Sequence, residues 1–286
     1  MIFKGLSIAV KAFFVAYTQT KSFASFYKYM DWHIGCSGFH YKHWRGTFYP
    51  EKLAMTKWFD YYCQHFSTLE LNVTFYRFPQ LSFLQNWYEK SPPEFRFAVK
   101  APRAITHYKK FNDTVDLLSS FYDTIGEGLQ NKLGPVLFQI PPSYNYTEEK
   151  LDKILKALNP AFSNVLEPRH VSWWQDDIYK KLAQHNVTFC GMSHPALPDE
   201  VIQNTPVIYY RFHGVPELYR SRYSTAYLQK VVDAVKANPK AKQGWFYFNN
   251  DVETHAIDNA KEMMEMVGLT TPLSYLSGSP NQSSLF

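Results

Sequence analysis

Eight short apolar runs, each long enough for a buried strand and most followed by a stretch of helical periodicity, set the strongest limit on how this chain can fold. The runs are Trp32 to Cys36, Thr68 to Val73, Phe95 to Val99, Val136 to Ile140, Asn164 to Glu167, Val187 to Met192, Val207 to Phe212 and Trp245 to Phe248. Several are apolar at both parities, as expected of strands covered on both faces. Alternation of strand and helix predicts repeated βα units and a parallel sheet.

The connecting helices have readable ends. Thr56 is expected to cap a helix carrying Trp58, Phe59, Tyr62 and Phe66 on one stripe, and Pro92-Pro93 to stop the next one, which carries Leu81, Leu84, Trp87 and Tyr88. A third stripe runs from Val115 to Leu129. Thr147, followed by Glu148 and Glu149, opens a fourth, and later helices are expected over 176–186, 224–238 and 253–267. The sixth crossover, near Pro198 to Gln203, is too short for a full helix.

Eight such units in this length predict an α/β chain of a particular kind, a single (β/α)8 TIM barrel. The rival, an open doubly wound sheet, usually shows a glycine-rich phosphate loop after its first strand; Gly35-Cys36-Ser37-Gly38-Phe39 has no G-x-G-x-x-G pattern. The expected layout is an extension outside the fold over 1–30, the barrel over 31–268 and a flexible tail over 269–286.

Thirty basic and 25 acidic residues give a formal charge of +5 without any long run of like charge, which permits an anionic ligand but lacks a nucleic-acid stripe. The sequence contains no apolar run long enough to span a membrane. Cys36, Cys63 and Cys190 are isolated from one another, so neither a disulfide framework nor a structural zinc site is expected, and a reducing, cytoplasmic setting is.

In a barrel, side chains at the C-terminal strand ends and in the loops after them converge on one mouth. By that rule the first loop contributes Ser37, Tyr41, His43, Trp44 and Arg45. The second strand contributes Glu70 and Asn72, with Tyr76 beyond; the third, Lys100, Arg103 and His107; the fourth, Gln139. The fifth adds Glu167, Arg169, His170 and Trp173; the seventh, Arg211 and His213; the eighth, Asn249, Asn250 and Asp251.

Glu70 and Glu167 are the acidic centre. A carboxylate inside a strand either neutralises an inward cation or, with its pKa raised by burial and a like-charged neighbour, serves as general acid or base. Arg169, Arg211 and Lys100 form a positive set suited to a phosphate or carboxylate. Arg220 and Arg222, with Gly214, are placed for a phosphate cradle after the seventh strand. The histidines lack metal-motif spacing. Glu70, Glu167, His213 and Asp251 come from separate strands in a way compatible with a divalent metal, so the cofactor stays open and no metal ligand is assigned. Cys36 reads as a small buried hydrophobe.

Ile34-Gly35-Cys36-Ser37-Gly38, His43-Trp44-Arg45-Gly46, Glu70-Leu71-Asn72, Phe97-Ala98-Val99-Lys100-Ala101-Pro102-Arg103, Gln139-Ile140-Pro141-Pro142, Arg169-His170, Arg211-Phe212-His213-Gly214 and Phe248-Asn249-Asn250-Asp251 resemble, in order, the YecE-like family, also called domain of unknown function seventy-two. The resemblance covers about residues 32 to 266. It implies a (β/α)8 barrel and carries no catalytic assignment. Cys36, Phe39, Lys42 and Val171 depart from the family pattern, which is Thr, Trp, Pro and Pro.

The leading expectation is an enzyme for a small anionic, phosphorylated substrate, in which Glu167 or Glu70 moves a proton, Arg169, Arg211 and Lys100 grip the anion, and His213 and Asn249 orient the reacting group. One alternative is glycosidase-like chemistry, with Glu70 and Glu167 facing each other across a sugar stacked on Trp44 or Trp173. Another is a non-catalytic binder of RNA or a partner protein, using aromatic and basic groups at the mouth.

Overall fold

The computed structural model describes residues 30–272, so the expectations for 1–29 and 273–286 lie outside the described residues. The elements are β1 (Asp31–Cys36), α1 (Trp58–Cys63), β2 (Thr68–Leu71), α2 (Val73–Tyr76), α3 (Leu81–Lys90), β3 (Arg96–Lys100), α4 (Val115–Leu129), β4 (Leu133–Ile140), α5 (Glu148–Ala157), β5 (Asn164–Pro168), α6 (Asp176–Gln184), β6 (Val187–Ser193), β7 (Val207–Phe212), α7 (Thr225–Lys236), β8 (Gln243–Phe248) and α8 (His255–Met266). The eight strands pair in parallel, in chain order, and β1 closes on β8 from Asp31↔Gln243 to Cys36↔Phe248. The fold is a single (β/α)8 TIM barrel.

Strand periodicity divides the core in two. Ala98, Leu137, Val165, Cys190, Met192, Tyr209, Trp245 and Tyr247 fill the barrel interior. Their alternates, among them Val99, Val136, Leu166, Phe189, Phe212 and Phe246, belong to the layer packed with the helices. Both parities are buried, which explains the continuous apolar runs of β5 and β6. On the helix side, α4 buries Leu118, Phe121, Tyr122, Ile125 and Leu129. Each such side chain contributes roughly 1.5–3 kcal/mol.

Thr147 opens its helix as expected and Ser224 caps the one that starts beside it: their side chains accept from the Lys150 and Tyr227 amides. Thr56 does not cap. It sits inside a 3-10 turn, Met55–Lys57, that runs directly into α1. β2 ends at Leu71, because Asn72 already has helical backbone angles and opens α2. β6 and β7 are joined without a helix, as the short crossover required. No helix among the described residues is long and apolar enough to cross a membrane.

Candidate functional site

Alternation along the strands determines which polar residues reach the barrel axis. Lys100 shares a parity with Ala98, Glu167 with Val165, and Arg211 with Tyr209, so each stands one layer above an interior side chain, towards the C-terminal mouth. Ser37, just beyond β1, joins them through hydrogen bonds. A polar layer thus lies over an apolar and aromatic one.

Arg211 is the centre of that layer. It is 1% exposed, and its guanidinium joins the two carboxylates. Nη1 donates to Glu167 Oε1 and Oε2 at 3.0 and 2.9 Å, and Nη2 donates to Glu70 Oε1 at 2.6 Å. Ser37 Oγ donates to Glu70 Oε1 at 2.7 Å, and Tyr209 Oη to Oε2 at 2.6 Å. Arg169 Nη2 approaches Glu167 Oε1 at 2.7 Å and His213 Nε2 at 2.9 Å. The other His213 nitrogen, Nδ1, lies 3.1 Å from Asn249 Nδ2. Five strands and the loops behind them contribute to one connected network.

The electrostatics follow from burial and neighbours. Burial alone would raise the Glu167 carboxyl, but Arg169, Arg211 and His213 outweigh it and hold the group well below the usual carboxylate range. Burial works with Arg169 and Arg211 to push the His213 ring well below its ordinary value, against the pull of Glu167, so the imidazole is neutral. Lys100 behaves differently. Burial, reinforced by Arg211, pushes its ammonium down to about 7, with Glu167 and Glu70 only partly opposing.

These contacts correct several expectations. Glu70 and Glu167 are both 0% exposed and spend their oxygens on guanidinium, hydroxyl and imidazole groups, so neither is available as general acid or base. They do not face each other across a sugar-sized gap, because Arg211 occupies the space between them. Trp44 and Trp173 are also 0% exposed; their indole N–H groups donate to Asp251 O and Tyr144 O, so neither offers a stacking face. Both losses remove the glycosidase arrangement. A divalent metal at Glu70, Glu167, His213 and Asp251 meets the same obstacle, since two guanidinium groups already hold the acidic donors; among the described residues no cluster of three such ligands forms.

The remaining expected residues divide between the mouth and its surroundings. Tyr41 and Asn72 donate to Ser37 O at 2.7 and 3.2 Å, beside the network. Gln139 pairs with Glu167 across β4 and β5, and no side-chain hydrogen bond to it is found among the described residues. His170 bonds Ser172 and caps a 3-10 turn. Asn250 turns away from the axis and binds Ser221 O and Asn259 Oδ1. Asp251 takes His43 and Trp44 on its backbone carbonyl, which clasps the β1 loop to the β8 loop. Arg45 lies 5.6 Å over the Trp58 ring on the outer rim. Arg103 lies 5.6 and 5.3 Å over the rings of Tyr76 and Tyr108. Gly214 has φ 91°, but its amide donates to Tyr223 Oη at 2.7 Å, so it is not free to cradle a phosphate. Cys36 is 1% exposed, and burial pushes its thiol up.

Two residues of this centre were absent from the expected set. Tyr209 supplies a hydroxyl to Glu70, and its position two residues before Arg211 on β7 carried the signal, because strand alternation puts both inward. Phe75, whose ring lies 4.2 Å from Lys100 Nζ, has no such signal, since its place depends on the turn that forms α2.

A family model described as "Protein of unknown function DUF72" matches residues 33–283. The UPF0759 protein YunF of Bacillus subtilis is 26% identical over 278 residues, covering 84% of this chain and 95% of its own. The UPF0759 protein YecE of Escherichia coli is 29% identical over 110 residues, covering 38% of this chain and 40% of its own. A crystal structure of a DUF72 family protein from Thermotoga maritima superposes with a TM-score of 0.75 at 28% identity, over 83% of this chain and 99% of that one. Another, from Enterococcus faecalis, gives 0.72 at 18% identity, over 84% and 96%, and bears on the fold alone. With the model spanning nearly all of the barrel, the chain belongs to the DUF72 family, the YecE-like barrels.

Proposed function

We propose that the C-terminal mouth is the active site of an enzyme for a small anionic substrate, with Arg169 as the anion anchor and Lys100, in place of Glu70 or Glu167, as the group that exchanges a proton. The observation that carries this reading is the state of Lys100. Its side chain is 8% exposed, and its amine makes no hydrogen bond or ion pair among the described residues. A pKa of about 7 suits a proton carrier at neutral pH. Arg169 supports the anchoring role, because Nη2 alone serves the network while Nε has no partner. Fixed charges behind the mouth would hold both groups without reorganisation.

A thermal-shift screen of small carboxylates and phosphates tests the reading. An anion at one hundred times its Kd should stabilise the protein by about 2.7 kcal/mol, an increase of several degrees in Tm, and Arg169→Gln should abolish most of it. Indifference of the wild type to every anion would remove the proposal. A second reading, single-stranded nucleic acid bound on the outer rim, is favoured only by Arg103 lying over two exposed tyrosine rings. Salt-dependent gel shifts lost in Tyr76→Ala and Tyr108→Ala would support it.

A further inference from the structure

We infer that Lys100 is a Schiff-base-forming amine and that the substrate is a small oxo-acid, its carbonyl carbon taken by Lys100 Nζ and its carboxylate by Arg169. The inference rests on the reading of the mouth as an anion site and adds a chemical class and a covalent step to it.

The geometry has three parts. First, Lys100 Nζ lacks the carboxylate partner that a buried structural lysine normally has, because Glu70 and Glu167 are committed to Arg211 and Arg169. It lies 4.2 Å from the centre of the Phe75 ring, an attraction weaker than an ion pair with a carboxylate. An amine so placed is kept for a reaction, not for an ion pair. Second, β3 and β5 are separated only by β4, two strand spacings or roughly 10 Å, and the register sets Lys100 level with Val165, so Arg169 stands four residues, roughly 13 Å, further towards the mouth and folds back onto Glu167. Two long side chains reaching inward can close that gap to the short span between the carbonyl and carboxylate of an oxo-acid. Third, the groups whose charges reach Lys100 are Arg211, Glu167, Glu70 and Arg169, and the nearby His107 is pushed down to about 4, chiefly by burial and then by Lys100 itself. Among the described residues, no free carboxylate pairs with the amine to hold it protonated.

The step balances with one proton taken from solvent water. The lone pair of the neutral amine attacks the carbonyl carbon and the C=O π pair moves to oxygen, giving a carbinolamine once a proton passes from nitrogen to oxygen. A second proton on that oxygen lets it leave as water, and the nitrogen lone pair forms the iminium. The C=O bond and one N–H bond are broken, the C=N bond and the two O–H bonds of water are formed, and the charge of the added proton remains on the iminium.

Reductive trapping tests this. Wild-type protein is incubated with glyoxylate or pyruvate and sodium borohydride, which is oxidised as its hydride reduces the imine to a stable secondary amine. Peptide mass spectrometry then locates the adduct. A dominant adduct at Lys100 is expected, absent from Lys100→Met and Lys100→Arg and unchanged in Lys180→Met, a surface control. Its rate should rise with pH through about 7, where the neutral fraction of Lys100 exceeds that of a lysine at 10.5 by on the order of 10³. Arg169→Gln should require more oxo-acid for the same yield. Adducts spread over surface lysines, or none, would overturn the inference. If anions still stabilise the protein through Arg169 while no imine is trapped, the covalent step fails and the anion site stands; if anions have no effect either, both fail.

Discussion

The two ends of the barrel differ in what they bury. At the C-terminal mouth, Glu70, Glu167 and Arg211 are sealed from water and hold one another by charge, with the buried, neutral His213 against Glu167. At the N-terminal end, a cavity of about 500 Å³ is lined by Asp31, His33, Arg96, Gly134, Gln243 and Trp245. There the charged groups are served locally: His33 lies 3.1 Å from Asp31 and stacks on Trp245, and Arg96 donates to the carbonyls of Pro93 and Phe95. The charged groups of that hollow, Asp31 and Arg96, stay in part exposed to water. Burying charge opposes folding unless it is paired, so a network with a surplus amine marks a site more strongly than open volume does.

The comparison is most exposed to failure at Arg211. Arg211→Met leaves two buried carboxylates without their cation and should destabilise by about 5 kcal/mol or more, whereas Arg96→Met at the other end should cost about 1 kcal/mol or less. Urea unfolding of the pair decides it; equal losses would erase the distinction between the ends.

Lys100→Met should act in the opposite direction. A lysine lowered from 10.5 to about 7 in the folded state binds fewer protons there than when unfolded, so its cost is complete below pH 7, shrinks as pH rises from 7 to 10.5, and is absent above. The upper bound is about 5 kcal/mol, and lost packing against Phe75 should leave a gain of roughly 2–4 kcal/mol near pH 6. Melting curves across that range should show the gain shrink with rising pH and turn into a small loss at alkaline pH, where only the lost packing remains. A mutant stabilised equally at every pH would contradict the origin assigned here.

Smaller effects sharpen the picture. Tyr209→Phe deletes a hydrogen bond to the Glu70 carboxylate and should cost about 1.5–3 kcal/mol by chemical denaturation. Gly134→Ala probes the opposite end, where a Cβ would fall 2.7 Å from Trp245 Cη2. Forcing that ring aside should cost about 1–2 kcal/mol and leave anion-induced stabilisation unchanged. A loss of ligand response there would couple the two ends.

Much of this architecture was readable beforehand. β7 runs from Val207 to Phe212 as its apolar pattern required, and Thr147 opens α5 as its position before a helical stripe implied. The errors have physical causes. Trp44 was expected to offer a face to a ligand, but it closes the 3-10 turn Lys42–Trp44, donates its indole N–H to Asp251 O and is completely buried. Asn250 was counted with Asn249, yet at the end of a strand adjacent residues face opposite ways, and Asn250 points to Asn259 on α8.

Apolar periodicity, being local, by itself determined the eight strands, their order and the helices between them other than α2, and the strand ends put Glu70, Lys100, Glu167 and Arg211 on one side of the barrel. Only the closed barrel decided which charges meet. A single guanidinium from β7 reaches carboxylates on β2 and β5, satisfies both and leaves the amine on β3 without a partner. Pairing between side chains more than a hundred residues apart depends on distances of a few ångströms, and those exist only after the chain has closed.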